Sequence, residues 1–310
     1  MKRNQAFRIH AYGGPDALRR DDVPEPEVAA GQLLVEVKAA GINGLDAKIR
    51  EGLLRGAFPL PLPATLGVEL AGVVSRVGEG VTGFKVGDRV MGPLAGLGAY
   101  ANFVAVNAAN LALTPEGLDD VAAAALPVAS LAAWQSLRAA GELTPGQKVL
   151  IHGAAGGVGG FAVQFAKAEG ATVWATASAT SRDHVLKLGA DVVIDRNAQR
   201  FESLAEGIDL VLDLVGGDVL DRSWQVLAPG GAIVSAVDLG ISAKTPVGRK
   251  GIAFATRPDA ARLRLAAEAV VSGKLRSTIA EVVGFDQIPA AVERVRIGHA
   301  PGKIVADFTR

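Results

Sequence analysis

The sequence predicts a two-domain α/β protein, in which a β-rich domain precedes a doubly wound parallel sheet covered by helices. The chain has 310 residues, more than one ordinary small domain needs. Hydrophobic residues make up 49% and charged residues 21%, which suits a soluble protein with sizeable cores. The pattern also changes near Leu118, where closely spaced short strands give way to alternating strands and helices.

The first third of the chain is the predicted β-rich domain. Strand patterns separated by Gly and Pro cover 33–39, 68–77, 86–91 and 99–106. This spacing favours a small barrel or folded sheet. We place the domain at 1–120 and expect 257–310 to complete it. That last segment carries predicted helices at 258–272 and 289–297 and a closing strand at 303–308.

The region 121–256 is the predicted parallel α/β domain. Beyond helical segments on either side of Pro127, short apolar strands alternate with amphipathic helices. The strands cover 149–151, 172–176, 192–194, 209–213 and 232–235. Continuous apolar strands separated by helices are typical of a parallel sheet that is covered on both faces.

The strongest functional signal is the segment 149–159, which reads Val-Leu-Ile-His-Gly-Ala-Ala-Gly-Gly-Val-Gly. A strand that enters a helix through a glycine-rich turn surrounds an anion with free backbone N–H groups, so a pyrophosphate needs no side-chain charge. The predicted cofactor contacts are Ala154, Ala155, Gly156, Gly157 and Val158. Gly159 would allow the helix to pack closely on the strand. An ordinary tight turn is the alternative, because Ala154 replaces the first glycine of the usual motif.

The end of the second strand predicts which dinucleotide binds. An NAD site usually has an acid about twenty residues after the glycines, whereas residues 175–182 read Ala-Thr-Ala-Ser-Ala-Thr-Ser-Arg. The hydroxyls of Ser178 and Ser181 and the guanidinium of Arg182 would bind a 2′-phosphate, so we predict NADPH. A solvated helix start with Ser181 as its N-cap is the alternative, and both interpretations can hold together.

Composition excludes several classes of function. The chain has no cysteine, which excludes disulfides, thiolate catalysis and cysteine-ligated metals. Lys+Arg and Asp+Glu number 32 each, so neither nucleic acid nor a membrane surface is an expected partner. No signal peptide or bilayer-spanning run is evident, and a cytoplasmic location is expected. The four histidines, His10, His152, His184 and His299, show no triad or metal spacing.

Five ordered segments resemble the quinone oxidoreductase (zeta-crystallin-like) and enone reductase branch of the medium-chain dehydrogenases/reductases. They are 39–46 (Ala-Ala-Gly-Ile-Asn-Gly-Leu-Asp), 66–72 (Leu-Gly-Val-Glu-Leu-Ala-Gly), 86–90 (Val-Gly-Asp-Arg-Val), 153–159 and 302–305 (Gly-Lys-Ile-Val). The resemblance covers essentially the whole chain. It implies a GroES-like substrate domain, a Rossmann domain that binds NADPH, and a homodimer.

The resemblance also bears on zinc. Zinc-bearing relatives use Cys and His ligands in the first domain, whereas this chain has Asn43 at the catalytic Cys position and Val68 at the His position. We therefore expect no metal, and a zinc-type alcohol dehydrogenase is disfavoured because alcohol oxidation needs a Lewis acid. Hydride transfer from NADPH to a small quinone or α,β-unsaturated carbonyl remains, since conjugation carries the incoming charge onto an oxygen.

Several site residues follow from the resemblance alone. It places Asn43 near the nicotinamide and ribose, and it adds Ala177, Val215 and Val237 to the cofactor contacts. Asp46 belongs to the catalytic segment and is expected to order its loop rather than to titrate.

The proton donor is less clearly indicated. Lys48 is a candidate donor to the developing enolate, with a surface lysine as the alternative, and Tyr100 is a weaker candidate that packing explains better. Quinone oxidoreductases often have Tyr at the position of Lys48, so this residue points towards the enone-reducing relatives. Arg196 replaces another family Tyr and either strengthens phosphate binding or is solvated.

Two other functions stay open at this stage. The lack of an unambiguous proton donor leaves room for a non-catalytic NADPH-binding protein, either a sensor or a structural protein. An enoyl-thioester reductase is the second alternative, in which Arg249 and Lys250 would bind the phosphate of a carrier or of coenzyme A.

Overall fold

A computed structural model describes residues 4–56, 58–298 and 301–310 of the chain. His299 lies outside the described residues. The chain divides into two compact units. The first contains Met1–Val128, Pro258–Lys274 and Ile279–Arg310, and the second contains Ala129–Arg257 and Leu275–Thr278. The sequence predicts the corresponding boundaries at residues 120 and 256, whereas the structure divides the chain after Val128 and after Arg257.

The N-terminal part of the first unit consists mainly of strands joined by tight turns. Its elements, with the helix that follows, are β1 (Asn4–Ile9), β2 (Leu18–Val23), β3 (Gln32–Ile42), α1 (Gly44–Arg50), β4 (Ala64–Thr65), β5 (Glu69–Val77), β6 (Arg89–Pro93), β7 (Phe103–Asn107), β8 (Ala112–Leu113), α2 (Asp120–Ala124) and α3 (Pro127–Arg138). The strand predicted from residue 86 begins only at Arg89. The reason is a turn in which Asp88 N–H bonds to Lys85 O and Gly87 has a φ of +92°.

The second unit alternates strands with helices. Its elements are β9 (Lys148–His152), α4 (Gly157–Ala168), β10 (Thr172–Ala177), α5 (Arg182–Lys187), β11 (Val192–Asp195), β12 (Ile208–Asp213), α6 (Gly217–Ser223), β13 (Leu227–Ser235), α7 (Ile241–Lys244) and β14 (Lys250–Ala253). All six strands are parallel, in the order β11-β10-β9-β12-β13-β14. This is the doubly wound order, with its topological switch point between β9 and β12. The sequence predicted five of these strands and missed β14.

The C-terminal segment belongs to the first unit. Its elements are α8 (Ala260–Val271), β15 (Ile279–Gly284), α9 (Ile288–Ile297) and β16 (Lys303–Asp307). β16 pairs with β3 in a seven-stranded sheet that runs β15-β16-β3-β5-β6-β8, with β7 also on β3. β2, β1 and β4 form a separate small sheet. The parallel sheet and the separate β-rich sheets confirm the predicted fold class.

Each unit has its own apolar core. In the second unit, Leu150, Val211 and Ile233 are register neighbours on adjacent strands and are fully buried. Burial of each such side chain contributes roughly 1.5–3 kcal/mol. In the first unit, Leu33 and Val35 of β3 pack in a core with residues from other elements, such as Leu70 of β5 and Val292 of α9. Among the described residues, no helix is long and apolar enough to cross a membrane.

Candidate cofactor-binding and active sites

The glycine-rich loop of the second unit joins β9 to α4. Gly153 turns the chain with a φ of +71°, and Gly156 is the N-cap of α4 without any side-chain cap. The first N–H groups of a helix have no partner within the helix. The start of α4 therefore presents backbone donors and the positive end of the helix dipole, without a side chain that competes for them.

Four of the five residues predicted to contact the cofactor in this loop are partly exposed: Ala155, Gly156, Gly157 and Val158. Ala154 differs, because it is fully buried and its N–H donates to the Thr176 carbonyl at 3.2 Å. Two of the five N–H groups are therefore already used, because the Ala154 N–H closes the turn onto β10 and the Gly156 N–H donates to the Gly153 carbonyl at 3.1 Å.

Two glycines of this loop differ in what surrounds them. A Cβ at Gly159 would lie 2.3 Å from the Gly153 carbonyl oxygen, so the approach of α4 to the loop requires glycine. A Cβ at Gly156 would meet only that same oxygen, at 3.4 Å, which is an ordinary contact. Gly156 thus leaves room on its Cβ side for the close approach of a pyrophosphate.

The edge of the sheet beyond β10 carries the predicted phosphate ligands. Ser178 Oγ donates to Ser181 Oγ at 3.1 Å, and Ser181 is buried. Ser181 is the N-cap residue of α5, as the alternative predicts, but its side chain makes no cap hydrogen bond and its hydroxyl faces Ser178 instead. Ala177, the last residue of β10, is also buried. Residues 175–182 contain no acid, but Asp195 at the end of β11 is the register neighbour of Ala177.

Two arginines lie at this edge, and they differ in the hydrogen bonds that they make. Arg182 donates from Nη1 to the Val193 carbonyl at 2.6 Å, so part of its donor set is already used. Arg196 is exposed, and its backbone N–H bonds to the Ala177 carbonyl at 2.9 Å, which places it directly beside Ser178. Among the described residues, no carboxylate forms an ion pair with either arginine.

Val215 and Val237 lie at the same edge of the sheet, after β12 and β13. A Cβ at Gly153 would contact Val215 at 3.4 Å, and a Cβ at Gly216 would contact Val237 at 3.2 Å. Val215 therefore lies next to the glycine-rich loop, and Val237 lies next to the loop that carries Val215. Arg249, proposed for an alternative function, donates instead to the carbonyls of Leu227 and Ala228, at 3.4 and 3.3 Å.

His152 ends β9 and is a structural residue. Its Nδ1 lies 3.0 Å from Thr176 Oγ1 and its Nε2 lies 3.0 Å from Ser223 Oγ. Ser223 donates its own proton to the Val219 carbonyl at 2.6 Å, so Nε2 must carry the imidazole proton. Burial lowers the pKa of His152 to about 4, and the ring stays neutral at neutral pH.

The candidate active site of the first unit is a cluster of side chains from two strands, β5 and β16, and the start of α1. Lys303, the first residue of β16, pairs with Glu69, the first residue of β5. The Lys303 ammonium also donates to Asn43 Oδ1. Glu69 is fully buried and accepts from the Val128 N–H at 2.7 Å, in the first turn of α3. A buried carboxylate with this many donors is fully compensated.

The cluster fixes the orientation of the Asn43 amide. Its Nδ2 donates to Glu69 Oε1 at 2.8 Å and to the Gly41 carbonyl at 3.3 Å. Its Oδ1 must face Lys303, because an ammonium group can only donate. Both amide protons are therefore in use. Asn43 can accept one further hydrogen bond through Oδ1, but it has no proton left to donate to a substrate.

Asp46 is fully buried next to this cluster. Its Oδ2 accepts from the Tyr100 hydroxyl at 2.6 Å and from the Asn43 N–H at 2.8 Å, whereas its Oδ1 is buried without a partner. Burial raises the pKa of Asp46 to about 6, and the hydrogen bond from Tyr100 opposes that shift. Through these two hydrogen bonds Asp46 ties the start of α1 to Tyr100, and its role in ordering this loop stays a prediction. Tyr100 is also fully buried and donates to Asp46.

Lys48 differs from the other two predicted catalytic residues. It lies on α1, is half-buried, and forms no ion pair with any described residue. Lys48 is thus the one of the three predicted catalytic residues whose side-chain donors have no partner among the described residues.

No group of three or more His, Cys, Asp and Glu side chains in the described part of the chain could hold a metal ion.

Glu69 and Lys303 were not predicted as site residues, although both stand in segments quoted for the family resemblance. The sequence contained a signal for them. Glu69 starts an apolar strand, and Lys303 starts another. Charged residues in buried strands need a partner of opposite sign, so one acid and one base in such positions predict a pair.

Comparison with known proteins agrees with this architecture. The family model described as an alcohol dehydrogenase GroES-like domain matches residues 29–116, and the one described as a zinc-binding dehydrogenase matches residues 188–305. A 2-methylene-furan-3-one reductase of Solanum lycopersicum is 34% identical over 97% of this chain and 78% of its own length.

Solved structures match over the whole chain. The quinone oxidoreductase of Coxiella burnetii superposes with a TM-score of 0.92 at 33% identity, covering 99% of both chains. The quinone oxidoreductase of Escherichia coli in complex with NADPH superposes with a TM-score of 0.86 at 30% identity, covering 98% of this chain and 99% of that one.

The fold and the relatives define an oxidoreductase with a doubly wound parallel sheet and a β-rich first unit. The chain belongs to the medium-chain dehydrogenase/reductase family, and its relatives include proteins named quinone oxidoreductase and alkenal/one oxidoreductase. The family resemblance and the GroES-like and Rossmann architecture predicted from the sequence are confirmed.

Proposed function

We propose that the chain is an NADPH-dependent reductase of quinones or α,β-unsaturated carbonyls that works without a metal ion. The observation that carries the proposal is the uncapped start of α4 next to an acid-free end of β10. Relatives named quinone oxidoreductase, one of them solved with NADPH, and a relative named 2-methylene-furan-3-one reductase support the substrate class.

The residues at the edge of the parallel sheet fit NADPH. Ala155, Gly157 and Val158 would hold the pyrophosphate through backbone N–H groups, and Gly156 would allow its close approach because it has no side chain. Ser178, Arg182 and Arg196 would hold the 2′-phosphate, since hydroxyl and guanidinium donors suit a dianion. Once bound, NADPH would supply the hydride that reduces the electrophile.

The first unit would provide the substrate side of the reaction. Asn43 would accept a hydrogen bond through its one remaining lone pair. Lys48 would stabilise the negative charge that develops on the carbonyl oxygen, because its ammonium has no competing partner among the described residues. Glu69 and Lys303 neutralise each other's charge. Chemistry of this kind needs no Lewis acid, since conjugation already makes the electrophile accept the hydride.

A direct assay tests the proposal. NADPH is mixed with the protein and either 1,4-benzoquinone or a panel of small enones, and its oxidation is followed by absorbance. We expect turnover with benzoquinone or with at least one of the enones. For Lys48→Met we expect a kcat at least about tenfold lower, which corresponds to about 1.4 kcal/mol. Lys274→Met is the matched control at a lysine outside the site. Tight NADPH binding without turnover of benzoquinone or of any enone would instead favour a non-catalytic binding protein.

The choice between NADPH and NADH is tested at the two arginines. Arg182→Ala and Arg196→Ala should each weaken NADPH binding without affecting NADH binding. A lost charge-assisted contact costs about 1.5–3 kcal/mol. We expect the larger loss at Arg196, because part of the Arg182 donor set already binds Val193. An unchanged NADPH-to-NADH affinity ratio in both variants contradicts the phosphate assignment.

We also propose a homodimer. β14 is the edge strand of the parallel sheet, and its outer side pairs with no strand of the described residues. An open edge of this kind can pair with the same strand of a second copy. Light scattering should give the mass of two 31.7 kDa chains, and a monomeric mass contradicts the proposal.

A further inference from the structure

Two loops at the carboxyl edge of the parallel sheet are joined by a buried pair of side chains. Asp213 ends β12 and Ser235 ends β13, and the two residues are partners in the register of these strands. Both are fully buried. Ser235 Oγ donates to Asp213 Oδ2 at 2.7 Å, which is a short charge-assisted hydrogen bond.

Each member of the pair also holds the loop that follows a strand. Asp213 Oδ1 accepts from the N–H groups of Val215 at 3.0 Å and Gly216 at 2.8 Å. Ser235 Oγ accepts from the N–H groups of Val237 at 3.3 Å and Asp238 at 3.0 Å. The proton and both lone pairs of the Ser235 hydroxyl are therefore in use. This pair fixes two loops at once and has no hydroxyl donor left for a ligand.

The strand order indicates which half of a dinucleotide these loops would meet. The glycine-rich loop follows the central strand β9, and Ser178 follows β10 on one side of it. β12 and β13 lie on the other side of β9. A dinucleotide with its pyrophosphate at the central loop and its 2′-phosphate beside Ser178 must extend its second nucleoside towards β12 and β13.

We propose that Asp213 and Ser235 are positioning residues for the nicotinamide half of the cofactor. Their hydrogen bond holds the loops of Val215 and Val237 in one arrangement, and loops held in advance bind a ligand without a further loss of conformational freedom. The 2′-phosphate half, on the opposite side of β9, does not depend on the pair. This inference rests on the proposed NADPH function and deepens it.

A comparison of the whole cofactor with a fragment tests the inference. The wild-type chain, Ser235→Ala and the control Ser272→Ala are titrated calorimetrically with NADPH and with adenosine 2′,5′-bisphosphate, which lacks the nicotinamide half. The control removes an exposed hydroxyl that bonds to the Ala269 carbonyl in the other unit. Ser235→Ala should bind NADPH about tenfold more weakly, because it unpairs two loop N–H groups, and should bind the fragment as the wild-type chain does.

Asp213→Asn is the second variant. Its amide oxygen can still accept from Val215 and Gly216, but its NH₂ group would face a hydroxyl whose lone pairs are already used. It should lose NADPH affinity to a similar degree, and the double variant should lose little more than either single one.

Three outcomes would contradict the inference. Unchanged NADPH affinity in both single variants rules out a positioning role, and so does an equal loss of NADPH and fragment affinity in both. A wild-type chain that binds neither compound overturns the proposed function itself, and this inference with it. The fragment therefore separates the two failures.

Discussion

The two candidate sites of this protein are built in different ways. The site of the second unit is made of backbone from one contiguous segment, 153–158, in which glycines provide the conformation and the space. The site of the first unit is made of charged and polar side chains, where Asn43 contacts residues 26 and 260 positions away. The first kind of site depends on the absence of side chains, and the second depends on their exact pairing. The two should therefore fail in different ways when they are mutated.

The largest expected effect is in the side-chain cluster. Lys303→Met should lower the free energy of unfolding by about 4 kcal/mol, because Glu69 stays buried without its cation. Chemical denaturation measures it. Arg264→Met, which breaks an exposed helical pair with Glu268, is the control and should cost under about 0.5 kcal/mol. A loss at Lys303 as small as the control would mean that the pair does not support the first unit.

The next effect is in the backbone-built site. Gly159→Ala should lower the free energy of unfolding by about 3 kcal/mol, because the new Cβ would overlap the Gly153 carbonyl. Gly156→Ala should leave stability within about 0.5 kcal/mol of the wild-type value, since its Cβ makes an ordinary contact, yet it should weaken NADPH binding. Denaturation and NADPH titration of the same two variants check this. Equal stability losses at both glycines would contradict the account of the loop.

The smallest effect is a pH dependence that has opposite signs in the two units. His152 has a folded pKa of about 4, below its ordinary 6.5, so its contribution to stability is complete above pH 6.5 and is lost as the pH falls towards 4. Asp46 has a folded pKa of about 6, above its ordinary 3.8. Its contribution is complete below pH 3.8 and is lost as the pH rises through 6.

Variants separate these two contributions between pH 7 and pH 5. On acidification over this window, His152→Gln should lose about 2 kcal/mol less stability than the wild-type chain, and Asp46→Asn should lose about 1 kcal/mol more. Unfolding curves at the two pH values measure both differences. If the two variants shifted in the same direction, at least one of the assigned pKa directions would be wrong.

The same contrast explains what the sequence could predict. The strand, turn and helix around Gly156 are local, so a contiguous motif identified them, and the apolar strand pattern gave the fold class. The pattern of alternating strands and helices did not predict β14, because this short edge strand has no fully buried residue. Neither the partner of Glu69 nor that of Asp213 could be identified, because register and folding bring these residues together over long separations. The buried N–H of Ala154 likewise depends on its contact with β10.

The claim that the first unit works through side chains rather than a metal can be tested directly by metal removal. The protein is dialysed exhaustively against a chelator, its metal content is determined, and NADPH oxidation is measured with the best quinone or enone from the panel. Because Asn43 and Lys303 are bound to each other and the chain has no cysteine, we predict an unchanged rate and no response to added zinc. A rate that falls on chelation and recovers with zinc would contradict the account.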